Sequence, residues 1–388
     1  MKTDPEVVLS ADPGAGYRAH AEEIRQAVTR VLTGNNYILG PEVAAFEQEF
    51  AGYLGAGFSV GVASGTDALH LALMACGIGP GAGVITVSHT AVATVAAIES
   101  AGAVPILVDV DPVTHTLDPE RLKDAVNEYR KSSSELRVKA VLPVHLYGHP
   151  ANVPAILEIA SRHELVVVED CAQSHGARIG AVCTGKFGAA SAFSFYPTKN
   201  LPALGDGGAV VTNDAALAAR VRMLREYGWQ ERYISQIPGT NSRLDELQAA
   251  ILRVRLKSLD AENECRGEIA AIYSERLGEL PLVLPAVSQN RHHVFHQYVV
   301  QTDLRDSLRE FLNLRGIKTL IHYPVPVHLQ PAYKGRIRIH RGGLGHTERL
   351  AARILSLPMH PFLTEEQVNR VTKEIASFFH GQARRDTD

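Results

Sequence analysis

Apolar and polar positions follow one another along the first two-thirds of the chain in the order typical of alternating strands and helices. Short, nearly continuous apolar runs rich in β-branched residues predict buried strands. Patterns in which apolar residues recur every three or four positions predict helices between them. Examples of the strands are FSVGVAS, VITVS, VPILVDV, VKAVLPVHL and LVVVEDC, and examples of the helices are TDALHLALMACG and VPAILEIASRHE. This order predicts an α/β fold with a mostly parallel sheet covered by helices on both faces.

The two ends of this alternating region are helical. An amphipathic pattern runs from about Tyr17 to Thr33, and a second helix is predicted after Gly40 with Pro41 at its first position. After Asn241 a long helical pattern runs from SRLDELQAAILRVRL toward GEIAAIYSERLGEL. A helix of this length commonly links two domains.

A smaller α+β unit is predicted beyond the long helix. Its elements are the strand FHQYVVQT, a helix near RDSLREFLNLRG, the strand IKTLIH, and helices near GHTERLAARIL and EEQVNRVTKEIASFF. These patterns predict an N-terminal extension (1–16), a large domain (17–255), a small C-terminal domain (256–380) and a disordered tail (381–388).

Composition disfavours several classes of protein. Lys and Arg number 39 and Asp and Glu number 42, and no long run of one sign occurs, so neither nucleic acid nor a membrane is an expected partner. The scattered cysteines favour neither a metal site nor a disulfide framework. They are Cys76, Cys171, Cys183 and Cys265. Without a secretory leader or an apolar stretch of membrane-spanning length, the sequence predicts a reduced, cytoplasmic protein.

The segment SFYPTKNLPALGDGGAVVTND places one lysine, Lys199, between an aromatic strand and a glycine-rich turn. One interpretation is a loop lysine whose aliphatic stem covers apolar surface. The other is an amine positioned to form an imine with a carbonyl cofactor.

A carboxylate lies at a nearby strand end. The run VVVED ends in Glu169 and Asp170, and Asp170 precedes Lys199 by 29 residues, which lets both side chains reach one cleft. Ligands in open α/β sheets gather at the carboxyl ends of the strands. Asp170 either caps the following turn or pairs with a protonated pyridine nitrogen.

Two further strand ends carry polar residues. In ASGTDALHLAL a strand ends at Ser64, Gly65 and Thr66 and a helix begins, which is either ordinary N-capping or a phosphate site. Neither GxGxxG after the first strand nor GxxxxGK[ST] is present, which disfavours dinucleotide and P-loop sites. His89, after VITVS, is either structural or a flat side chain for a cofactor ring.

These motifs together resemble the DegT/StrS family of sugar aminotransferases, which are pyridoxal-phosphate enzymes of the aspartate-aminotransferase fold (fold type I). The resemblance extends from about Tyr37 to Pro361. Its most specific segments are SGTDALHLAL, VHLYGHPANV, VVEDCAQSHGA, SFYPTKNLPALGDGGAVVTND and NSRLDELQAAIL. It implies that the large domain binds the cofactor.

The resemblance also implies roles for individual residues. Lys199 would form the imine and carry the proton, Asp170 would hold the pyridine N–H, and Gln173 would contact the ring hydroxyl. The family's stacking position against the cofactor would be occupied by His89. The residues implied to hold the cofactor phosphate are Gly65, Thr66, Ser194 and, from a neighbouring subunit, Asn241. An active site shared in this way requires at least a homodimer.

The C-terminal unit carries IHYPVPVHLQPAY, which contains His322, Tyr323 and His328. This segment is either a packed Pro-rich turn or, as the resemblance implies, a loop that overhangs the substrate and bonds sugar hydroxyls or diphosphate. Tyr196 and Arg243 are further substrate-contact candidates, although Arg243 also fits a solvated helix arginine.

The resulting hypothesis is an aminotransferase of aminosugar and antibiotic deoxysugar biosynthesis. It would move an amino group from glutamate, through the pyridoxamine form of the cofactor, to a nucleotide-linked keto-deoxysugar. The expected nucleotide is dTDP, and C3 is favoured over C4. A keto-cyclitol substrate and a cofactor-binding regulatory protein without turnover are alternatives. A dehydratase of the same fold is disfavoured, because known dehydratases of this kind carry histidine where this chain has Lys199.

Overall fold

The computed structural model of this protein describes residues 7–131 and 136–385. Its helices follow the predicted alternation with strands. They are α1 (Pro13–Ala19), α2 (Ala21–Leu32), α3 (Pro41–Leu54), α4 (Gly65–Ala75), α5 (Val92–Ser100), α6 (Pro119–Lys131), α7 (Val153–Arg162), α8 (Ala215–Leu224), α9 (Glu246–Leu256), α10 (Leu259–Leu277), α11 (Arg305–Leu314), α12 (Gly345–Arg353) and α13 (Glu365–Arg385). Among them, no helix is long and apolar enough to cross a membrane.

The strands form one large sheet and three small ones. They are β1 (Phe58–Val62), β2 (Ala82–Val87), β3 (Val104–Val108), β4 (Arg137–Val141), β5 (Val166–Asp170), β6 (Arg178–Ile179), β7 (Val182–Cys183), β8 (Ala190–Ser194), β9 (Gly208–Thr212), β10 (Trp229–Glu231), β11 (Ile234–Ser235), β12 (Arg291–His292), β13 (Tyr298–Gln301), β14 (Arg338–Ile339) and β15 (Ile354–Leu357). The large sheet has the order β1-β9-β8-β5-β4-β2-β3-β14.

Only β9 runs antiparallel to its neighbours in the large sheet; the other neighbouring strands pair in parallel. Strands β2, β8 and β9 are buried along their whole length, as expected for strands covered on both faces. The predicted α/β fold with a mostly parallel sheet is confirmed. Its parallel strands bring Val87 and Asp170 to one edge, where the candidate site lies.

Three predicted elements differ in detail. The helix predicted over 17–33 is two helices, because α1 begins earlier, at Pro13, with Asp12 accepting the Ala15 N–H, and His20 leaves helical geometry. The long helix is divided into α9 and α10 at Lys257 and Ser258. The predicted strand IKTLIH is not continuous, since Ile317 and Leu320 form only isolated bridges to different segments.

The two chain ends also refine the predicted boundaries. Val8 is buried in the apolar cluster of the C-terminal unit, where its amide donates to Gly316 O at 2.9 Å. Helix α13 extends to Arg385 and so enters the segment 381–388 for which a disordered tail was predicted. Residues 386–388 lie outside the described residues. The predicted boundary at 255/256 remains a prediction.

Candidate active site

Lys199 lies in the connection between β8 and β9, where a backbone hydrogen bond of its own and the side chain of Asn200 hold the loop. Its amide donates to Tyr196 O at 2.8 Å, and the next residue, Asn200, donates to Asn263 Oδ1 at 2.7 Å and to Val294 O at 3.0 Å. Burial lowers the pKa of the Lys199 amine to about 8, although the charge of Asp170 opposes this shift. A pKa lowered toward neutrality suits a nucleophile, which favours the amine interpretation over a loop lysine.

Asp170 ends β5 and is buried, with 4% of its surface exposed. One carboxylate oxygen accepts the Thr94 hydroxyl at 2.9 Å and the other accepts the Ala172 N–H at 3.1 Å. Burial raises the pKa of Asp170, while these two hydrogen bonds and the positive charge of Lys199 oppose the rise. A buried carboxylate of this kind is stabilised by a cationic group placed against it, as a protonated pyridine nitrogen would be.

The adjacent Glu169 has a structural role. Its oxygens accept backbone N–H groups of Gly185, Phe187 and Gly188 at 2.8–3.0 Å and His145 Nε2 at 3.0 Å. Because His145 Nδ1 accepts the Ala151 N–H at 2.9 Å, its Nε2 carries the proton. His145, Glu169 and Cys171 are close enough to share a metal ion, but the carboxylate oxygens and both imidazole nitrogens already have partners.

Gln173 is oriented by two tyrosines. Its Oε1 accepts the backbone N–H of Tyr147 at 2.7 Å, so its amide NH₂ faces the Tyr323 hydroxyl at 3.1 Å. Tyr147 has a φ of 59°, a conformation uncommon for a non-glycine residue. The strained turn at Tyr147 thus orients the NH₂ of Gln173, rather than its Oε1, into the site. Contact with the oxygen of a ring hydroxyl requires such a donor.

The predicted phosphate residues come together where α4 begins. Ser64 caps the helix through Asp67 N–H at 3.1 Å, and Gly65 and Thr66 form its first turn. A Cβ at Gly65 would lie 2.5 Å from Ser194 Cβ, so only glycine allows Ser194 to approach this closely. A helix N-terminus with hydroxyls and a glycine at closest approach is a cradle for a phosphate. The residues present therefore fit a phosphorylated cofactor.

His89 is buried among aromatic rings. Its Nε2 lies 2.8 Å from the Tyr147 hydroxyl, and its ring lies edge-on to His115 and Tyr147. Tyr147 donates its hydroxyl proton to His322 O, so His89 Nε2 is the donor to Tyr147. Burial and the neighbouring His115 lower the pKa of His89 to about 3, which keeps it neutral. Its role as a stacking surface remains a prediction.

The segment IHYPVPVHLQPAY lies over the strand ends. His322 Nδ1 bonds the Ser356 hydroxyl at 2.9 Å, and Tyr323 reaches Gln173. His328 has a different position from the one expected for a substrate contact, because Ser88 and Glu348 occupy its two ring nitrogens at 2.7 and 3.2 Å. His328 therefore fastens the segment to the end of β2, whereas His322 and Tyr323 face the site.

Three candidates lie toward the surface. Asn241 is exposed, and since α9 begins at Glu246 with Asp245 as its cap, Asn241 is not the cap of that helix. Arg243 forms a long ion pair, in which its Nη1 lies 3.9 Å from Glu226 Oε1. Tyr196 is 52% exposed. These positions are open to a substrate or a second subunit.

Some site residues carried no local sequence signal. Thr94 supports Asp170 from α5, Tyr147 orients Gln173, and His296 lies 3.1 Å from Asn200 Oδ1. Tyr147 falls within VHLYGHPANV, but nothing in that segment shows which neighbour it contacts. Their roles depend on contacts between residues far apart in the chain.

Comparison with known proteins gives matches along most of the chain. Residues 18–376 match the DegT/DnrJ/EryC1/StrS aminotransferase family. The dTDP-3-amino-3,4,6-trideoxy-alpha-D-glucose transaminase of Streptomyces venezuelae is 48% identical over 361 residues, 93% of each protein. The dTDP-3-amino-3,6-dideoxy-alpha-D-galactopyranose transaminase of Aneurinibacillus thermoaerophilus is 43% identical over 92% of this chain and 95% of its own length. The crystal structure of S. venezuelae DesV in complex with a ketimine intermediate matches with a TM-score of 0.91 and 46% identity, covering 96% of this chain and 98% of that one.

Proposed function

Because the chain belongs to the DegT/DnrJ/EryC1/StrS aminotransferase family, we propose that it transfers an amino group from glutamate to a keto-deoxysugar carried by a nucleoside diphosphate. The nucleotide is dTDP and the aminated carbon is C3. The names of the two relatives support both choices, since each is a transaminase of a dTDP-3-amino sugar. The observation that carries the proposal is the convergence of Lys199 and Asp170 on one strand edge beside the phosphate cradle of Gly65.

The cofactor is pyridoxal 5'-phosphate, which alternates with pyridoxamine 5'-phosphate during a transamination cycle. Gly65, Thr66 and Ser194 would hold its phosphate at the start of α4, and Asp170 its ring nitrogen. Gln173 would donate its amide to the ring hydroxyl. When bound, the cofactor supplies an electron sink for the carbon that loses a proton.

Lys199 does the proton chemistry. With its pKa lowered to about 8, Nζ would take a proton from the donor carbon and deliver it to the cofactor carbon; in the second half-reaction it would take a proton from the cofactor carbon and deliver it to the sugar carbon. The backbone bond of Lys199 to Tyr196 O and the side-chain bonds of Asn200 hold the loop that carries Nζ. Asp170 maintains a negative charge against the cofactor ring, where the Thr94 hydroxyl and the Ala172 N–H stabilise the charged carboxylate.

The ketosugar lies beneath the segment that carries His322 and Tyr323. His322 is held by Ser356 and Tyr323 by Gln173, so both present polar atoms in fixed positions to sugar hydroxyls. Arg243 and Tyr196 bind the diphosphate and nucleoside from the more exposed side. The protein is a homodimer, in which Asn241 completes the phosphate site of the partner; its exposure and the absence of a helix-capping role support this assignment.

The test is an assay of the purified, cofactor-loaded protein with glutamate and a panel of nucleotide-linked 3-keto and 4-keto sugars, with products identified by mass and NMR. We expect a 3-amino sugar on dTDP and stoichiometric 2-oxoglutarate. A 4-amino product contradicts the choice of carbon. Amination of an inosose but of no nucleotide sugar supports the keto-cyclitol alternative. Cofactor binding without turnover on any acceptor supports a regulatory protein.

A further inference from the structure

The segment that carries Asn241 presents alternate residues to opposite sides. Asn241 is exposed and Arg243 is half-buried, whereas Ser242 and Leu244 are each only 1% exposed. A period of two is expected of an extended chain, whose successive side chains point in opposite directions. This short segment can therefore offer Asn241 and Arg243 to a second subunit while Ser242 and Leu244 pack into its own chain.

The backbone of this segment is attached to the residues that follow α8. The Ser242 amide donates to Arg225 O at 2.9 Å, and Asn241 forms an isolated antiparallel bridge with Glu226. Arg225 is buried, and its Nη1 donates to Gly61 O in β1 at 2.8 Å. The segment is thus connected, through Arg225, to the strand that leads into the phosphate cradle.

The side chain of Ser242 makes a direct connection to that cradle. Its Oγ donates to Asp67 Oδ2 at 2.8 Å and accepts the Ala63 N–H at 3.1 Å. Ala63 follows β1, and Asp67 belongs to the first turn of α4. Because a hydroxyl carries a single proton, donation to the carboxylate and acceptance from the amide together fix its orientation.

Helix α4 does not need Ser242 in order to begin. Ser64 already caps the helix by accepting the Asp67 N–H at 3.1 Å. What the Ser242 hydroxyl adds is a fixed position of its own segment relative to the cradle, through a hydrogen bond to a carboxylate, which is stronger than one between neutral groups. The residue next to it, Asn241, inherits that position.

We propose that Ser242 is a positioning residue for the active site of the partner subunit: it fastens its segment to the phosphate cradle of its own chain and so holds Asn241 where it reaches the cofactor phosphate of the second copy. The inference rests on the proposed function, in which Asn241 serves the partner's site. An asparagine that is already held in place loses less conformational entropy when it binds a phosphate. Loss of the Ser242 hydroxyl should therefore weaken cofactor binding in the site of the other chain.

Heterodimers in which only one chain keeps Lys199 test this role. One chain carries Lys199→Ala, alone or with a second substitution, and the other chain is unchanged, so only the site of the unchanged chain retains the lysine. The apoenzyme is equilibrated with increasing pyridoxal phosphate and reduced with borohydride, which fixes the cofactor to that lysine. The mass of the peptide that contains Lys199 then gives the cofactor affinity of this one site without any turnover.

Ser242→Ala on the Lys199→Ala chain should weaken cofactor binding in the other chain's site roughly 3- to 10-fold, the usual effect of losing one hydrogen bond. Asn241→Ala on the same chain should weaken it by at least as much. The two substitutions together should have no greater effect than Asn241→Ala alone, because Ser242 acts through Asn241.

Ser191→Ala on the Lys199→Ala chain is the matched control, since Ser191 is a fully buried serine of β8 that donates to Gly185 O at 2.8 Å. It should leave the affinity of the other chain's site unchanged. Ser242→Cys, which preserves the packing and weakens both hydrogen bonds, replaces Ser242→Ala if the alanine chain does not assemble.

Wild-type affinity with the Ser242 variant, where Asn241→Ala weakens binding, overturns the role of Ser242 and leaves the shared site intact. A loss that adds in full to that of Asn241→Ala also overturns it, because Ser242 would then act by another route. If Asn241→Ala itself has no effect on the other chain's site, the shared site of the proposed function is wrong, and the role of Ser242 is overturned with it.

Discussion

At the scale of single residues, the site depends on buried charges whose partners come from distant parts of the chain. Asp170 is a clear case: strand β5 delivers it to the ligand edge, but Thr94 of α5 and the Ala172 amide determine how its two oxygens are used. A buried carboxylate that accepts hydrogen bonds only from neutral donors is stabilised further by a cation at its open side. Its charge, rather than its shape, is therefore the property that function requires.

Asp170→Asn tests this requirement. The amide keeps the shape, its oxygen can accept the Ala172 N–H and its NH₂ can donate to the Thr94 hydroxyl, so we expect the melting temperature to change little. Turnover should fall roughly 10²- to 10³-fold, the usual effect of losing a preorganised electrostatic partner. Turnover and thermal unfolding of the loaded enzyme are the measurements.

Asp109→Asn is the control for this substitution. Asp109 is equally buried, at 4% exposure, and accepts backbone N–H groups of His346 and Thr347. Its replacement should lower stability and leave turnover per folded molecule unchanged. Equal turnover losses in the two variants would contradict a specific role of Asp170 at the cofactor ring.

At the scale of elements, the sequence predicted the strands and their order well because nearly continuous apolar runs are a direct consequence of burial on both faces. Lys199 was also placed correctly in a connection between two strands, Asp170 at a strand end and Gly65 at a helix start. The break at Lys257 and the bridges of Ile317 were not predicted, because they depend on packing between units.

Side-chain partnerships were the least predictable feature of the site. His328 has its two nitrogens bound by Ser88 and Glu348, which lie 240 residues before it and 20 residues after it. Arg266 lies in α10, whose local pattern gives no indication that its guanidinium donates to the carbonyls of Phe295 and Met359. Both properties follow from the tertiary structure alone.

The start of α4 provides a test at this scale, through Gly65→Ala. The added Cβ would lie 2.5 Å from Ser194 Cβ, closer than packed atoms allow, so the helix start and Ser194 must separate. We expect pyridoxal phosphate to bind at least about tenfold more weakly, a loss of about 1.4 kcal/mol. Equilibrium dialysis of the reloaded apoenzyme measures this affinity.

Gly267→Ala is the matched substitution in α10, where an added Cβ meets no atom within 4 Å. It should leave cofactor affinity unchanged and stabilise the protein by about 0.5–1 kcal/mol, since alanine is the better helix former. Wild-type affinity in Gly65→Ala would show that the glycine is not needed for the phosphate cradle.

At the scale of the whole molecule, several buried histidines make the stability of the fold depend on pH. Burial lowers the pKa of His115, His149 and His322 to about 4, against an ordinary value of 6.5. Between these values the unfolded chain binds protons that the folded chain does not. Folding stability should therefore decrease as the pH falls from about 6.5 to about 4.

His149→Phe measures one part of this effect. His149 is 2% exposed and neither ring nitrogen has a partner in the described structure, so a phenyl ring preserves its packing and removes its proton. Urea unfolding at successive pH values gives the free energy of unfolding as a function of pH. In this window, the slope of that free energy against pH should be smaller than in the wild type by up to about 1.4 kcal/mol per pH unit. Leu314 is 77% exposed and carries no titratable group, so Leu314→Gln is the control and should keep the wild-type slope. An unchanged slope in His149→Phe would contradict its buried neutral state.

The last prediction tests whether one active site uses two chains, as the proposed homodimer requires. Asn241 is exposed and lies outside α9, so its side chain is available to a partner, whereas Lys199 is half-buried and lies near Asp170 of its own chain. Lys199→Ala and Asn241→Ala homodimers should each be nearly inactive. When the two chains are unfolded together and reassembled, a heterodimer with shared sites has one site that carries both substitutions and one that carries neither. We then expect about half of the wild-type activity per heterodimer, because one intact site remains.

If each chain instead used its own Asn241, every site would keep one defect and no activity would return. The heterodimer fraction is measured by native mass spectrometry, and the Asn241→Ala homodimer is first shown to bind the cofactor weakly. Under those conditions, activity that stays at the level of the parent variants would exclude the shared site.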